Sequence, residues 1–135
     1  MFDNSSASNL QAGQDFLAQN ALREGIVALP SGIQYEIMTE GDGARPSATA
    51  TVRCHYHGTT IEGKVFDSSV QRGQPASFPL NRVIAGWTEA LQLMPVGSKW
   101  RLYIPPQLAY GNQRVSPEIG PNSTLIFEVE LLGIG

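Results

Sequence analysis

The chain has 135 residues, enough for one domain with a real core and too few for two. Apolar content of 41%, charged content of 16% and a net charge of −3 describe an ordinary soluble globular protein, with no electrostatic footprint for nucleic acid or a membrane surface. The single cysteine, Cys54, excludes an internal disulfide framework, and no apolar run approaches the roughly 18 residues of a membrane span.

The first stretch, "MFDNSSASNLQ", has no basic segment followed by an apolar one and does not read as a signal peptide. Together with the lone cysteine this leans to the cytoplasm, with the periplasm as the alternative if a signal peptide has been removed. Residues 1–8 are polar and serine-rich and read as a disordered tail. From Asn9 onward, Leu10, Phe16, Leu17, Ala21 and Leu22 form a rough helical stripe, and Gly25 after Arg23 and Glu24 is a C-terminal stop signal. The stripe spans about three turns, short of the three to four heptads of a coiled coil, so a monomer is expected. The stripe must still rest on the domain body or on a second chain.

After Pro30 the period switches to two. Ile33, Tyr35 and Ile37 alternate with polar neighbours, and "GDG" turns the chain. In "TVRCHYHG", Val52, Cys54 and Tyr56 share one face, and Arg53, His55 and His57 the other. "KVFD" and "SFPL" are shorter strand candidates. "GWTEALQLM" (86–94), stopped by Pro95, is the helix inside this region. Trp100, Leu102 and Ile104 then alternate with Lys99, Arg101 and Tyr103, and Leu125, Phe127, Val129 and Leu131 alternate with Ile126, Glu128, Glu130 and Leu132. Strands with one solvated face imply an antiparallel sheet. The expected class is α+β: a curved antiparallel half-barrel wrapped around one short α-helix, with a short N-terminal helix. The expected division is 1–30 for tail and helix and 31–135 for the main domain.

No familiar catalytic constellation is present. His55 and His57 point the same way, as metal ligands do, but Cys54 points to the opposite face and no third ligand cluster exists, so surface histidines and no metal are expected. There is no G-x-S-x-G elbow and no phosphate-loop spacing. What stands out is a set of aromatics at strand ends and turns: Tyr56, Phe66, Trp87, Tyr110 and Phe127. Beside them, Asp67 in "GKVFDSSV" is either a plain turn acid or an acid at the lip of an apolar pocket.

The order of the motifs bears on that choice. "VRCHYHG", "GKVFDSS", "VIAGWTEALQLMPVGSKWRLYIP", "LAYG" and "NSTLIFEVELL" are each weak alone. Together they resemble the FKBP-type peptidyl-prolyl cis-trans isomerases, the immunophilin fold that binds tacrolimus and rapamycin. "FLAQNALREGIVALPSGIQY" is similar to the linker-to-domain junction of the bacterial macrophage infectivity potentiator branch, whose long N-terminal helical segment makes dimers. Nearly all of that segment is expected to be absent here. The resemblance implies a pocket walled by Tyr56, Phe66, Asp67, Val83, Ile84, Tyr110, Ile119 and Phe127, with Trp87 as its floor and Arg72 paired with the acid.

The implied activity is isomerisation of X-Pro bonds in peptides and folding proteins, without a cofactor. The catalytic set would be Asp67, Tyr110, Phe127 and Tyr56. Phe66, Arg72, Val83, Ile84, Trp87 and Ile119 would hold substrate, and the Ile84 N–H and Tyr110 hydroxyl would grip the peptide's carbonyls. Asp67, expected to be buried beside the apolar wall, would need the Tyr56 hydroxyl and Arg72 as partners. Phe66 and Asp67 are adjacent, so both can face the pocket only if the strand bends or ends, and "DSS" favours an ending. A peptide-binding or chaperone module with little catalysis is the alternative. The chain departs from the family pattern at the rim. Ala76 stands where many members have a wall phenylalanine, Val115 where some carry histidine, and "EIGP" replaces isoleucine-proline-proline. These departures bear on sequence preference and drug affinity more than on activity.

Overall fold

The structure, a computed structural model, describes residues 6–135. Helix α1 (Ser6–Asn20) opens it. Of the expected tail, residues 1–5 lie outside the described residues, whereas Ser6, Ala7 and Ser8 are helical. The helix also stops sooner than the Gly25 signal. The Asn20 side chain is drawn into hydrogen bonds with Gln34 (2.9 Å) and Arg23 (2.8 Å), and Leu22 is 81% exposed, so no apolar contact carries the helix onward. Gly25, at φ 87°, closes the turn that follows instead.

Seven strands follow: β1 (Val27–Ala28), β2 (Gln34–Thr39), β3 (Thr51–Thr60), β4 (Val65–Ser68), β5 (Ala76–Pro79), β6 (Lys99–Ile104) and β7 (Leu125–Ile134). They form one open antiparallel sheet in the order β1-β2-β6-β7-β3-β4. β5 joins the same edge of β3 as β4, further along. Two helices interrupt the second half, α2 (Ser69–Arg72) and α3 (Ala85–Leu91).

The period-two reading holds where it matters for the core. Val52, Cys54 and Tyr56 of β3, Trp100, Leu102 and Ile104 of β6, and Leu125, Phe127, Val129 and Leu131 of β7 are all buried in one cluster with Trp87, Ala90 and Leu91 of α3. Gly86 lets α3 come down onto the sheet, because a Cβ there would lie 2.6 Å from Ile104 Cγ2. The alternation fades at the end of β2, where Ile37 is 45% exposed.

Tyr103 departs from the pattern. It shares its face with Lys99 and Arg101, yet is buried. The reason is α1, which covers that opposite face of the sheet. Phe16 packs on Tyr103 with ring centroids 5.9 Å apart. Gln34 donates to the Leu17 carbonyl (2.9 Å), Asn9 donates to the Pro121 carbonyl (2.8 Å), and Gly13 lies against Thr124. Of the helix stripe, Phe16 and Leu17 therefore rest on the body of their own chain, whereas Leu10, Ala21 and Leu22 are exposed.

Candidate active site

On the concave side, a cavity of about 460 Å³ opens between β3, β4, β5, the start of α3 and the 110–119 loop. Every residue expected to wall it lines it: Tyr56, Phe66, Asp67, Val83, Ile84, Tyr110, Ile119 and Phe127, with Trp87 at the base. Trp87 is buried and meets three rings edge-on or nearly so, Tyr56 at 5.5 Å, Phe78 at 5.7 Å and Phe127 at 5.3 Å. Phe66 stands perpendicular to Phe127 at 5.4 Å. Below this last pair lies Gly58, where a Cβ would come within 2.7 Å of Phe66 and 2.9 Å of Phe127.

Phe66 and Asp67 both reach the cavity, by a device other than the expected strand ending. Gly58 pairs with Asp67 and Thr59 with Val65, which leaves Phe66 as the extra residue of a β-bulge. The strand continues through Ser68, whose side chain then caps α2 by accepting from the Gln71 N–H at 3.1 Å. That cap starts the turn that brings Arg72 back to Asp67.

Asp67 sits at the lip with its side chain 45% exposed, not buried as the apolar wall suggested. It accepts from the Tyr56 hydroxyl (2.6 Å) and from Arg72 Nη1, while Arg72 Nη2 donates to the Tyr56 oxygen (2.9 Å). Partial burial pushes the Asp67 carboxyl up. The hydrogen bonds from Tyr56 and Arg72, the charge of Arg72 and the Ser68 backbone outweigh it and hold the carboxyl below its usual range. Burial, followed by the bond to Asp67, raises the Tyr56 phenol, and burial followed by the Asp67 charge raises Tyr110. Both phenols therefore stay protonated donors at neutral pH. Among the described residues, no acceptor meets the Ile84 N–H or the Tyr110 hydroxyl.

The serines of "DSS" explain the histidines. Ser69 is fully buried, and its hydroxyl accepts from the Tyr56 N–H at 2.7 Å and donates to the Tyr56 carbonyl at 3.3 Å. It does so in a gap of the ladder, because on this edge β4 pairs only up to His57 and β5 resumes at Cys54. His55 Nδ1 lies 2.9 Å from Ser69 Oγ, and His57 Nδ1 lies 2.9 Å from Ser68 Oγ. The two histidines are thus half-buried and partnered rather than free on the surface. Among the described residues, no three of His, Cys, Asp and Glu converge.

Phe78, Arg82 and Ser116 also line the cavity and were not anticipated. Phe78 was within reach of the pattern, since it follows Ala76 by two on one strand and the pair faces Val52 and Cys54. It supplies a wall ring on the face where Ala76 has none. A second depression lies on the opposite face beside α1, but its Arg23 and Arg101 are paired with Glu36 and Glu128.

A family model described as FKBP-type peptidyl-prolyl cis-trans isomerase matches residues 43–132. The chain belongs to the FKBP-type peptidyl-prolyl cis-trans isomerase family. A second model, the domain amino terminal to FKBP-type isomerases, matches residues 2–37. The FKBP-type 22 kDa peptidyl-prolyl cis-trans isomerase of Escherichia coli (strain K12) is 56% identical over 122 residues, 90% of this chain and 59% of that protein. The protein named outer membrane protein MIP of Legionella longbeachae is 49% identical over 133 residues, 98% of this chain and 57% of that one. The crystal structure of FkpA from Escherichia coli superposes with a TM-score of 0.91 at 44% identity, covering 96% of this chain and 60% of that one. A peptidyl-prolyl cis-trans isomerase from Pseudomonas syringae pv. tomato also gives 0.91, at 39% identity, with 100% and 99% covered. The chain thus spans under two thirds of the first curated FKBP-type relatives it matches. None of these names supports the lean to the cytoplasm. No helix among the described residues is long and apolar enough to cross a membrane.

Proposed function

We propose that this chain is a peptidyl-prolyl cis-trans isomerase that turns X-Pro bonds non-covalently in its aromatic cavity. The observation that carries the reading is the cavity itself. Four aromatic rings, Tyr56, Phe66, Phe78 and Phe127, stand around a buried tryptophan, and one acid is held at the lip by a tyrosine and an arginine.

Rotation about an X-Pro bond has a barrier of about 20 kcal/mol and takes roughly tens of seconds unaided. An acceleration of about 10⁴ requires only about 5.5 kcal/mol at 1.36 kcal/mol per decade. No bond need break. The planar amide is stabilised by charge-separated resonance, which the twisted transition state lacks, so an apolar and water-poor wall disfavours the ground state more. Trp87 and the rings around it supply that wall and take the proline ring. The Ile84 N–H and Tyr110 hydroxyl, without partners among the described residues, receive the peptide's carbonyls and fix the frame against which the bond turns. Asp67 orients Tyr56 and Arg72 and sets the field at the mouth; it is not a proton-transfer base. Val83 and Ile119 pack beside the residue preceding proline, which favours apolar residues there.

In this reading residues 31–135 carry the activity and 1–30 form an appendage on the back of the sheet. The protein acts as a monomer on proline-containing peptides and unfolded proteins, takes tacrolimus or rapamycin in the same cavity, and needs no metal or cofactor. The relative named as an outer membrane protein supports a location outside the cytoplasm. Protease-free NMR exchange on a Leu-Pro peptide tests the activity, with cis-trans exchange expected to quicken at catalytic amounts of protein. Binding without acceleration would support a chaperone module instead.

A further inference from the structure

The charges at the cavity mouth do not cancel. The ionised side chain of Asp67 is held by Arg72, and Arg82 lines the cavity as a second cation. One carboxylate against two guanidiniums leaves the mouth at +1, on a chain whose net charge is −3. Arg82 ends the short 3₁₀ turn Leu80–Arg82 and is exposed, two residues before Ile84. Among the described residues it has no ion-pair or hydrogen-bond partner, a state it shares with Arg53 but not with Arg23, Arg45, Arg72 or Arg101. The remaining rim residues, Val83, Val115, Ser116 and Ile119, carry no charge. Glu118, in the loop over the mouth, lines a different depression with Glu62. Among the described residues, no acid forms an ion pair with Arg82.

We propose that Arg82 is a specificity-determining residue that favours proline peptides bearing an acidic side chain just outside the X-Pro pair. The proposal rests on the isomerase reading. The X residue itself packs among Val83, Ile84 and Ile119, where a carboxylate would be desolvated without a partner. One step further out the peptide leaves this wall beside the Arg82 guanidinium, a planar five-donor group suited to a carboxylate. Because both partners remain in contact with water, the preference is modest and is screened by salt.

The test is a panel of Leu-Pro peptides with Asp, Ala or Lys scanned through the flanking positions, read by NMR exchange as kcat/KM relative to the Ala peptide. At low salt, Asp at one flanking position or more should exceed Ala by about two- to five-fold, the size of an exposed ion pair, with Lys below Ala. At 0.5 M NaCl the ratio should approach one. Arg82→Gln should bring the Asp/Ala ratio to about one, Arg82→Glu should invert it, and Arg82→Lys should keep most of it. A wild-type ratio of one or less at every position would overturn the proposal, as would a preference that survives Arg82→Glu. If no peptide is accelerated at all, the isomerase reading fails separately. Dissociation constants of the same panel, read from Trp87 fluorescence, then decide the role of Arg82 by the same ratios.

Discussion

Gly58→Ala is a demanding probe of the site, because the change is a single methyl placed under two wall rings. Its Cβ would stand 2.7 Å from Phe66 Cζ, 2.9 Å from Phe66 Cε1 and 2.9 Å from Phe127 Cε1. Carbon atoms rest about 3.5–4.0 Å apart, so the rings must retreat by roughly 0.6–1.3 Å. They cannot move apart freely, since Phe127 is pinned edge-on to Trp87 at 5.3 Å. Phe66, half-buried and carried on a bulge, is the softer partner and swings into the cavity. Overpacking of this kind costs about 1–3 kcal/mol. An unfolding entropy of about 2.1 cal/mol/K per residue gives roughly 280 cal/mol/K for this chain, so the thermal midpoint should fall by about 4–11 °C. Displacing a wall by a large part of an ångström should also lower kcat/KM on a Leu-Pro peptide about ten-fold. Calorimetry and NMR exchange on the same sample read the two effects together. An alanine variant with an unchanged midpoint and full activity would refute the placement of Gly58 beneath the rings.

Other measurements bear on separate parts of the site. The Asp67 carboxyl, followed by its ¹³C shift, should titrate below the ordinary value of about 3.9, and Arg72→Ala should move it up. Because the folded value is the lower one, its contribution to stability is complete above about pH 3.9 and is lost as pH falls through the folded value; a midpoint at or above 3.9 would contradict the network. Asp67→Ala should leave the fold intact and reduce activity roughly three- to ten-fold, a modest loss because the pair is half exposed. Rapamycin should perturb the fluorescence of Trp87 and leave Trp100, stacked on Tyr35 at 4.3 Å, nearly untouched. A signal lost in Trp100→Phe yet kept in Trp87→Phe would put the pocket on the wrong face. Ser69→Ala should strand the Tyr56 N–H and carbonyl at about 1–3 kcal/mol and speed amide exchange at Tyr56, and unchanged exchange there would count against the bridging role of Ser69.

Much of this architecture was legible because strand alternation is a local code. Val52, Cys54 and Tyr56, or Leu125, Phe127 and Val129, announce their face without knowledge of the rest of the chain. Tyr103 could not be read that way. Its burial depends on a helix some 80 residues upstream, docked mainly by Asn9, Asn20 and Gln34, and polar contacts leave no periodic trace. The bulge at Phe66 was equally silent, since neither Gly nor Pro marks it. The acid, its tyrosine and its arginine came from resemblance, and the structure places them in contact. The exposure of Asp67 could not be inferred from an apolar neighbour in sequence. Arg82 stood in plain view beside "VIAGW", but only the shape of the cavity shows that it lines the mouth.

The gap in the ladder at Tyr56 gives the outer edge of the sheet a further property. A strand that pairs without interruption transmits any change of length along its whole partner, because one residue of slip reverses every side chain beyond it. Here β4 and β5 set their registers on β3 independently, with one serine hydroxyl spanning the space between them. Beyond Arg72 the chain reaches Gly73 in a left-handed turn (φ 75°) with open space where a side chain would project. Residues added between Gly73 and Pro75 would bulge outward as a loop and leave both registers as they are. The molecule thus offers a grafting point on the edge of the sheet that carries Asp67, where a segment can be inserted without disturbing the aromatic cavity.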